Sequence, residues 1–223
     1  MELNTLEKKN PVCLQRLEEF KWLTQKLCAL FATEGVRCQA YRPGAPHFSN
    51  LPQSKQDEVL EYLRYYLELC MGQIAAGDRL SDNLSFTWRA LKRLGFVPRS
   101  DLFNHLTDED VIEIYNSENR QLFRNLRFFD HCSYTLEELC TLEWWALFER
   151  DQKITMKLFE TAEKIFRGEI TETVVPNDIE PHIIKETQSL ECNSVLYQVR
   201  CASPLYVNRR PEGLICILKI NLH

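Results

Sequence analysis

The chain has 223 residues, 44% of them hydrophobic and 26% charged, with a net charge of −5 and 7 glycines. That length holds one large or two small domains, and the composition supplies a packed core rather than a disordered tail or a glycine-rich nucleotide cradle. The acidic balance gives no support to bulk binding of nucleic acid or an anionic membrane. No apolar run approaches the ~20 residues of a membrane span, and the polar N-terminus lacks a secretory h-region.

Nine cysteines stand at 13, 28, 38, 70, 132, 140, 192, 201 and 216, an odd number with irregular spacing and no C-x-x-C pair. That pattern fits reduced structural thiols in a cytoplasmic chain better than a disulfide framework or a zinc site.

The first hundred residues read as helices. Pro11 opens one that carries Leu17, Phe20, Leu23, Leu27, Leu30 and Phe31 and stops at Gly35. The segment RPGAPHFSNLPQ is a loop. Ser54 is then expected to cap a second helix, with Asp57 and Glu58 in its first turn. Leu60, Leu63, Leu67, Cys70 and Ile74 form one stripe on it, either a packing face or a short dimer seam. A third helix starts near Asp82 or Asn83 and ends at Gly95, with Phe86, Leu91 and Leu94 inward. The helix-turn-helix possibility around Phe86–Leu106 fails, because no helix there has a basic recognition face.

At residue 110 the texture changes. DVIEIYNSENRQLFRN reads as a β-hairpin about Asn116–Asn119, with Val111 or Ile112, Ile114, Leu122 and Phe123 inward. Helical signals return from 126 to about 168. Thr135 and Glu138 make a capping box, and Asp151 caps a long helix whose apolar face is Ile154, Leu158, Ala162, Ile165 and Phe166. Gly168 ends it. Three strand-like segments follow, beginning PHII, SVLY and GLIC, with turns at Cys192-Asn193 and at RRPEG. The order is two strands, several helices, then three strands. One antiparallel sheet can take the hairpin and the returning meander, with the helices over one face.

That order, with Asn125 ending the hairpin, Phe128 and Phe129 in the next helix, Ser133-Tyr134-Thr135-Leu136-Glu137-Glu138-Leu139, then Trp144 or Trp145 and Arg150-Asp151, resembles the PAS sensory domain family. SPLYVNRRPEGLICILKI resembles the family's strand crossover near its end. Ser133 stands in place of the usual glycine, and the hairpin turn lacks the usual Asp and Gly, though Asn tolerates a left-handed turn. The resemblance implies an α+β fold: a PAS-like five-stranded antiparallel sheet at 108–223 with helices inserted after its second strand, preceded by an all-helical region at 1–107. It also implies a ligand site between sheet and helices. Strand alternation suggests an inner wall of Ile114, Phe123, Leu139, Trp145, Leu158, Tyr197 and Ile217.

No catalytic, metal or phosphate-binding motif is evident. The oxygen-sensing PAS type places its haem histidine on the long helix, which has none, and the Asn-Cys-Arg-Phe motif of the flavin-binding type is missing. No haem or flavin is therefore expected. Cys132 and Cys140 lack flanking groups that would lower a thiol pKa. The expected function is non-enzymatic: a sensory or regulatory module that binds a small apolar ligand or a protein partner and relays occupancy through helix packing or homodimerisation. A ligand-free adaptor is one alternative. The other is a small enzyme on a cupped sheet, for which Glu113, Tyr115, His182 and Tyr197 would be the residues to inspect.

Overall fold

The computed structural model describes residues 11–42 and 46–223, without the side chains of 11–13, so Cys13 and part of the proline-rich loop lie outside the described residues. Three helices come first: α1 (Pro11–Thr33), α2 (Gln53–Ala75) and α3 (Asn83–Leu94). Their apolar stripes explain their seating. Phe20, Leu23, Leu27 and Phe31 of α1, Leu60, Leu63, Leu67 and Cys70 of α2, and Phe86 and Leu91 of α3 are all buried. Gly95 ends α3 in the left-handed conformation at φ 73°, where a side chain would be strained. Asp82 caps the same helix by accepting from the Ser85 N–H at 3.0 Å.

Two expectations for α2 change. Pro52, not Ser54, precedes the first helical turn and offers no side-chain cap; the Gln56 amide instead donates to the carbonyls of Phe48 and Leu51. Ile74 is 41% exposed, because the stripe loses its packing partners after Cys70.

The sheet has seven strands, antiparallel throughout: β1 (Val97–Pro98), β2 (Val111–Asn116), β3 (Gln121–Arg124), β4 (Phe148–Glu149), β5 (His182–Glu186), β6 (Ser194–Val207) and β7 (Arg210–Leu222). Their order is β3-β2-β7-β6-β5-β4, with β1 paired to the far end of β6. The hairpin and the three-strand meander expected from sequence are thus adjacent in one sheet. β1 and β4 were not expected, and at two residues each they carry too little alternation to read. Between hairpin and meander lie α4 (Leu136–Thr141), α5 (Trp144–Leu147) and α6 (Gln152–Phe166). The last turn also differs from expectation. Asn208 and Arg209 are the left-handed pair, at φ 50° and 67°, while Pro211 and Gly213 already belong to β7. Gly213 is needed there: a Cβ at that position would meet the Phe96 ring at 2.7 Å.

Helices cover both faces of the sheet. One face sends Ile112, Ile114, Phe123, Cys201, Leu205, Ile215 and Ile217 into a core shared with α1–α3. The other sends Val111, Ile184, Tyr197, Val199, Leu218 and Ile220 toward α5 and α6, where Leu147, Ile154 and Leu158 pack. Residues on both sides of position 107 therefore contribute to one apolar cluster. Among the described residues no helix is long and apolar enough to cross a membrane.

Fully buried Asn125 ties these parts together. Its Oδ1 accepts from the Ile112 N–H at 3.0 Å, and its Nδ2 donates at 2.8 Å both to Asn83 Oδ1 and to the Asp110 carbonyl. Asn83 Nδ2 in turn reaches the carbonyls of Thr107 and Asp110. Asn125→Ala should orphan the Ile112 N–H and Asn83 Oδ1, each at a cost of about 1–3 kcal/mol. A lowered urea midpoint at unchanged slope would show it.

Candidate functional site

The face covered by α4–α6 is not lined by the aliphatic residues that alternation suggested. On β2 the parity that buries Ile112 and Ile114 against α1–α3 turns Val111, Glu113 and Tyr115 the other way. Glu113 lies opposite Arg124 of β3. Arg124 Nε donates to Glu113 Oε1 at 2.9 Å, with side-chain exposures of 5% and 7%. Glu113 Oε2 accepts from the Tyr115 hydroxyl at 2.7 Å, and the Tyr115 hydroxyl oxygen accepts from Gln121 Nε2 at 3.3 Å. The guanidinium rests 3.7 Å from the Phe128 ring centroid. Burial disfavours the charge on Arg124, but Glu113 together with Tyr115, Cys132 and Tyr62 holds the pKa above the ordinary value. Burial, then Glu113, pushes the Tyr115 phenol well above its usual range. The pair is thus dry and joined to Tyr115.

Beside it stands an aromatic group. The Trp144 ring lies 5.8 Å from Tyr115 and 5.2 Å from Phe159 of α6. The guanidinium of Arg150 is 5.6 Å from the Trp144 centroid and 5.1 Å from that of Tyr197. His182, cross-strand from Tyr197, has its ring 5.4 Å from the tyrosine's. His182 Nδ1 pairs with the Glu180 carbonyl at 2.9 Å, so in the neutral ring Nδ1 carries the proton and Nε2 is an acceptor. Arg150 Nε and Nη1, Trp144 Nε1 and His182 Nε2 are all buried without a hydrogen-bond partner.

The segment resembling the PAS signature builds the wall. Ser133 N–H and Oγ both donate at 2.7 Å to the Glu186 carboxylate of β5, which fixes the segment to the sheet edge. Tyr134 OH donates to the Leu147 carbonyl and accepts from the Thr187 N–H. Thr135 and Glu138 form the expected capping box, and Asp151 caps α6 through the N–H groups of Lys153 and Ile154. Glu137 accepts from the Phe48 N–H at 2.7 Å, and Glu138 pairs with Arg42 at 2.5 Å. Both carboxylates therefore serve structure.

The seven residues expected to share one wall are not brought together. Ile114, Phe123 and Ile217 are fully buried on the α1–α3 side. Tyr197 and Leu158 lie on the opposite face. Leu139 packs against both clusters. Trp145 is 41% exposed and sits at the rim, while Trp144 takes the inner position. Leu139 and both tryptophans line a cleft of about 500 Å³ that also touches Val59 and Tyr62 of α2 and Gln121 of β3. The reason is parity. With α1–α3 covering one face, Ile112, Ile114, Ile215 and Ile217 turn toward them, and the opposite face takes Glu113 and Tyr115 beside Val111, Leu218 and Ile220. Glu113, Tyr115, His182 and Tyr197 do share that inner face. Arg124 and Arg150 were missed, and a charged residue ending an apolar strand was the available signal for Arg124.

Burial pushes Cys132 and Cys140 up to about 12, against thiolate formation. The eight described cysteines are free, and no group of His, Cys, Asp and Glu among the described residues is arranged to hold a metal. A comparison with family models finds no match, and one with curated proteins finds none either.

Two outcomes are expected. Glu113→Ala strands the Arg124 charge and should cost about 3–5 kcal/mol, whereas Glu113→Leu with Arg124→Met should recover most of it; urea unfolding of the wild type and the two variants measures this. Burial holds the pKa of His131 below its usual value, and burial with the Arg150 charge does so for His182. The unfolded chain therefore takes up protons first as pH falls through ~6.5. Stability should be full above that pH and decline below it, and His182→Gln should flatten the decline in urea midpoint.

Proposed function

We propose that the chain is a sensory or regulatory module: a PAS-like sheet whose inner face holds a small ligand, with α1–α3 as the receiving layer. The observation that carries this reading is the convergence of unpartnered polar atoms and aromatic rings around Trp144, Arg150 and Tyr197. A purely structural interior satisfies its polar atoms, and this one leaves several open beneath a helical cover. The adjacency of hairpin and meander, with the helices inserted between them in sequence, supports the PAS-like arrangement. The open atoms on this face are polar, where the sequence led to an apolar site.

The route to the helices is short. The Tyr66 hydroxyl of α2 donates to the backbone carbonyl of Arg124, so a shift of β3 on one face is felt by α2 on the other. Free thiols support a cytoplasmic setting. A second reading, a docking adaptor or homodimer, is favoured by Leu84 and Trp88, more than half exposed on α3.

Native mass spectrometry of the full chain separates the two. The sensory reading expects a small-molecule mass excess that disappears on denaturation and is absent from Trp144→Ala. A bare chain that populates only dimers would support the second reading and sink the first.

A further inference from the structure

The chain reverses direction where α1 ends. Gly35 takes the left-handed conformation at φ 82°, and the Val36 N–H donates back to the Phe31 carbonyl at 3.1 Å. The non-helical residues that follow run back along α1. Val36 is buried in the cluster that holds Phe31, and further on the Tyr41 hydroxyl accepts from Gln25 Nε2 at 3.1 Å, its ring 6.2 Å from that of Phe20. Cys38 lies between those two contacts. The helix climbs about 9 Å from residue 28 to the reversal, and three extended residues beyond Gly35 return about 10 Å, which brings residue 38 level with Cys28.

The side chains meet there. Cys28 and Cys38 are both half-buried, their thiols are in hydrogen-bonding contact, and they line one cavity of about 580 Å³ with exposed Arg37 and Glu191 on its rim. The returning segment is also held from its other side, because the Gln39 and Ala40 carbonyls accept from the N–H groups of Leu136 and Glu137. Cys38 is therefore fixed opposite Cys28 rather than carried on a loose loop.

The two thiols are unequal. A thiolate at Cys28 accepts the Cys38 proton in a hydrogen bond, which holds the Cys28 pKa below its ordinary value. The same contact, followed by burial, holds Cys38 well above it. Cys132 lines the same cavity, but burial pushes it up to about 12 and keeps it protonated. A thiol disposed to ionise beside one that keeps its proton is the arrangement of an attacking and a resolving cysteine.

We propose that Cys28 and Cys38 form a reversible dithiol–disulfide site, oxidised by hydrogen peroxide entering the cavity between α1 and the returning segment. The Cys28 thiolate attacks one peroxide oxygen; the O–O bond breaks, hydroxide leaves, and Cys28 becomes a sulfenic acid. The Cys38 sulfur then attacks the Cys28 sulfur, the S–O bond breaks, and the departing hydroxide takes the Cys38 proton as water. The two thiols lose two electrons, and the peroxide ends as two waters. Two molecules of a small thiol such as glutathione reverse the step and leave as their own disulfide. The new bond ties α1 to the residue before Gln39, so oxidation fastens the segment on which the start of α4 rests.

Peptide mapping of the full chain tests this. Reduced protein is treated with stoichiometric hydrogen peroxide, its remaining thiols are alkylated under denaturing conditions, and the monomer fraction is digested with trypsin, which cuts after Lys26, Arg37 and Arg42 and so separates the two cysteines. The expected product is a Cys28 peptide joined to a Cys38 peptide, about 2 Da lighter than the two free peptides together and absent after dithiothreitol. Exposed Cys192 should still be alkylated at that dose. Cys38→Ser should stop Cys28 at the sulfenic acid, trapped by dimedone, while Cys28→Ser should leave Cys38 alkylated; the wild-type map needs neither variant to fold. A link from Cys28 or Cys38 to Cys132, oxidation of Cys192 before any Cys28–Cys38 link forms, or trapping of Cys38 in Cys28→Ser overturns the proposal.

Discussion

One side chain ties the layer of α1–α3 to the sheet. Asn125 ends β3, yet its amide faces neither solvent nor ligand. It satisfies the Ile112 N–H on β2 and reaches the first residue of α3 through Asn83. The Asp110 carbonyl accepts from both asparagines, and the Asp110 carboxylate receives Arg200 of β6 and both donors of Thr107. Four elements distant in sequence thus meet on one hydrogen-bond network, buried except at Arg200 and Thr107. Such a network is worth most when complete, since each open member in a low-dielectric interior is costly. An aspartate in place of Asn125 could not donate to Asn83, and a leucine would leave Ile112 unpaired; only an amide offers both roles.

That anchoring decides what each face of the sheet becomes. Once α3 is tied to the hairpin, α1 and α2 lie over β2, β7 and β6, and the aliphatic half of each strand turns toward them. The other face of β2 and β3 carries Glu113, Tyr115 and Arg124 beside Val111. A buried ion pair is a weak source of stability against a hydrophobic alternative of equal volume. Its value lies in fixing geometry: Glu113 cannot move without unpairing both Arg124 and Tyr115, and Tyr115 supports the ring of Trp144. The inner face is thus rigid at β2 and unsatisfied further across, toward Arg150.

Much of the architecture was legible because local chemistry and burial agree there. The capping box at Thr135, the Asp151 cap, the left-handed residues Gly95 and Asn119 and the long alternating strands all mark themselves in sequence. The pocket was not legible, for two physical reasons. Period-two alternation states which residues share a face but not which face is which, and both faces of β2 are buried, so its apolar run has no polar side to orient it. The choice between Trp144 and Trp145 depends on the direction in which α5 leaves Glu143, a geometry that a four-residue helix leaves unmarked in sequence. Pro52 displaced the expected Ser54 cap because the preceding loop folds back onto Gln56, a contact invisible to local rules.

The proline-rich segment carries the last step of the synthesis. Residues 36–42, after α1, and residues 46–51, before α2, both lie against the start of α4. The carbonyls of Gln39 and Ala40 accept from the N–H groups of Leu136 and Glu137 at 2.8 and 3.0 Å, donors that a helix start leaves open. Glu137 answers by accepting from the Phe48 N–H, and Phe48 stacks on Phe20 of α1 with ring centroids 4.3 Å apart. α4 therefore belongs to both layers: its signature residues close the inner face of the sheet, while its N-terminus is bonded to the strap from the helical layer. Together with the Tyr66–Arg124 bond this makes two separate links between the faces, one through α4 and one through β3. A displacement of α4 or β3 must strain the α1–α2 layer, because neither has slack on that side: Phe20, Phe48 and Tyr66 are all buried among one another's neighbours. The inner face and the N-terminal helices are therefore joined by packed, hydrogen-bonded contacts at both places.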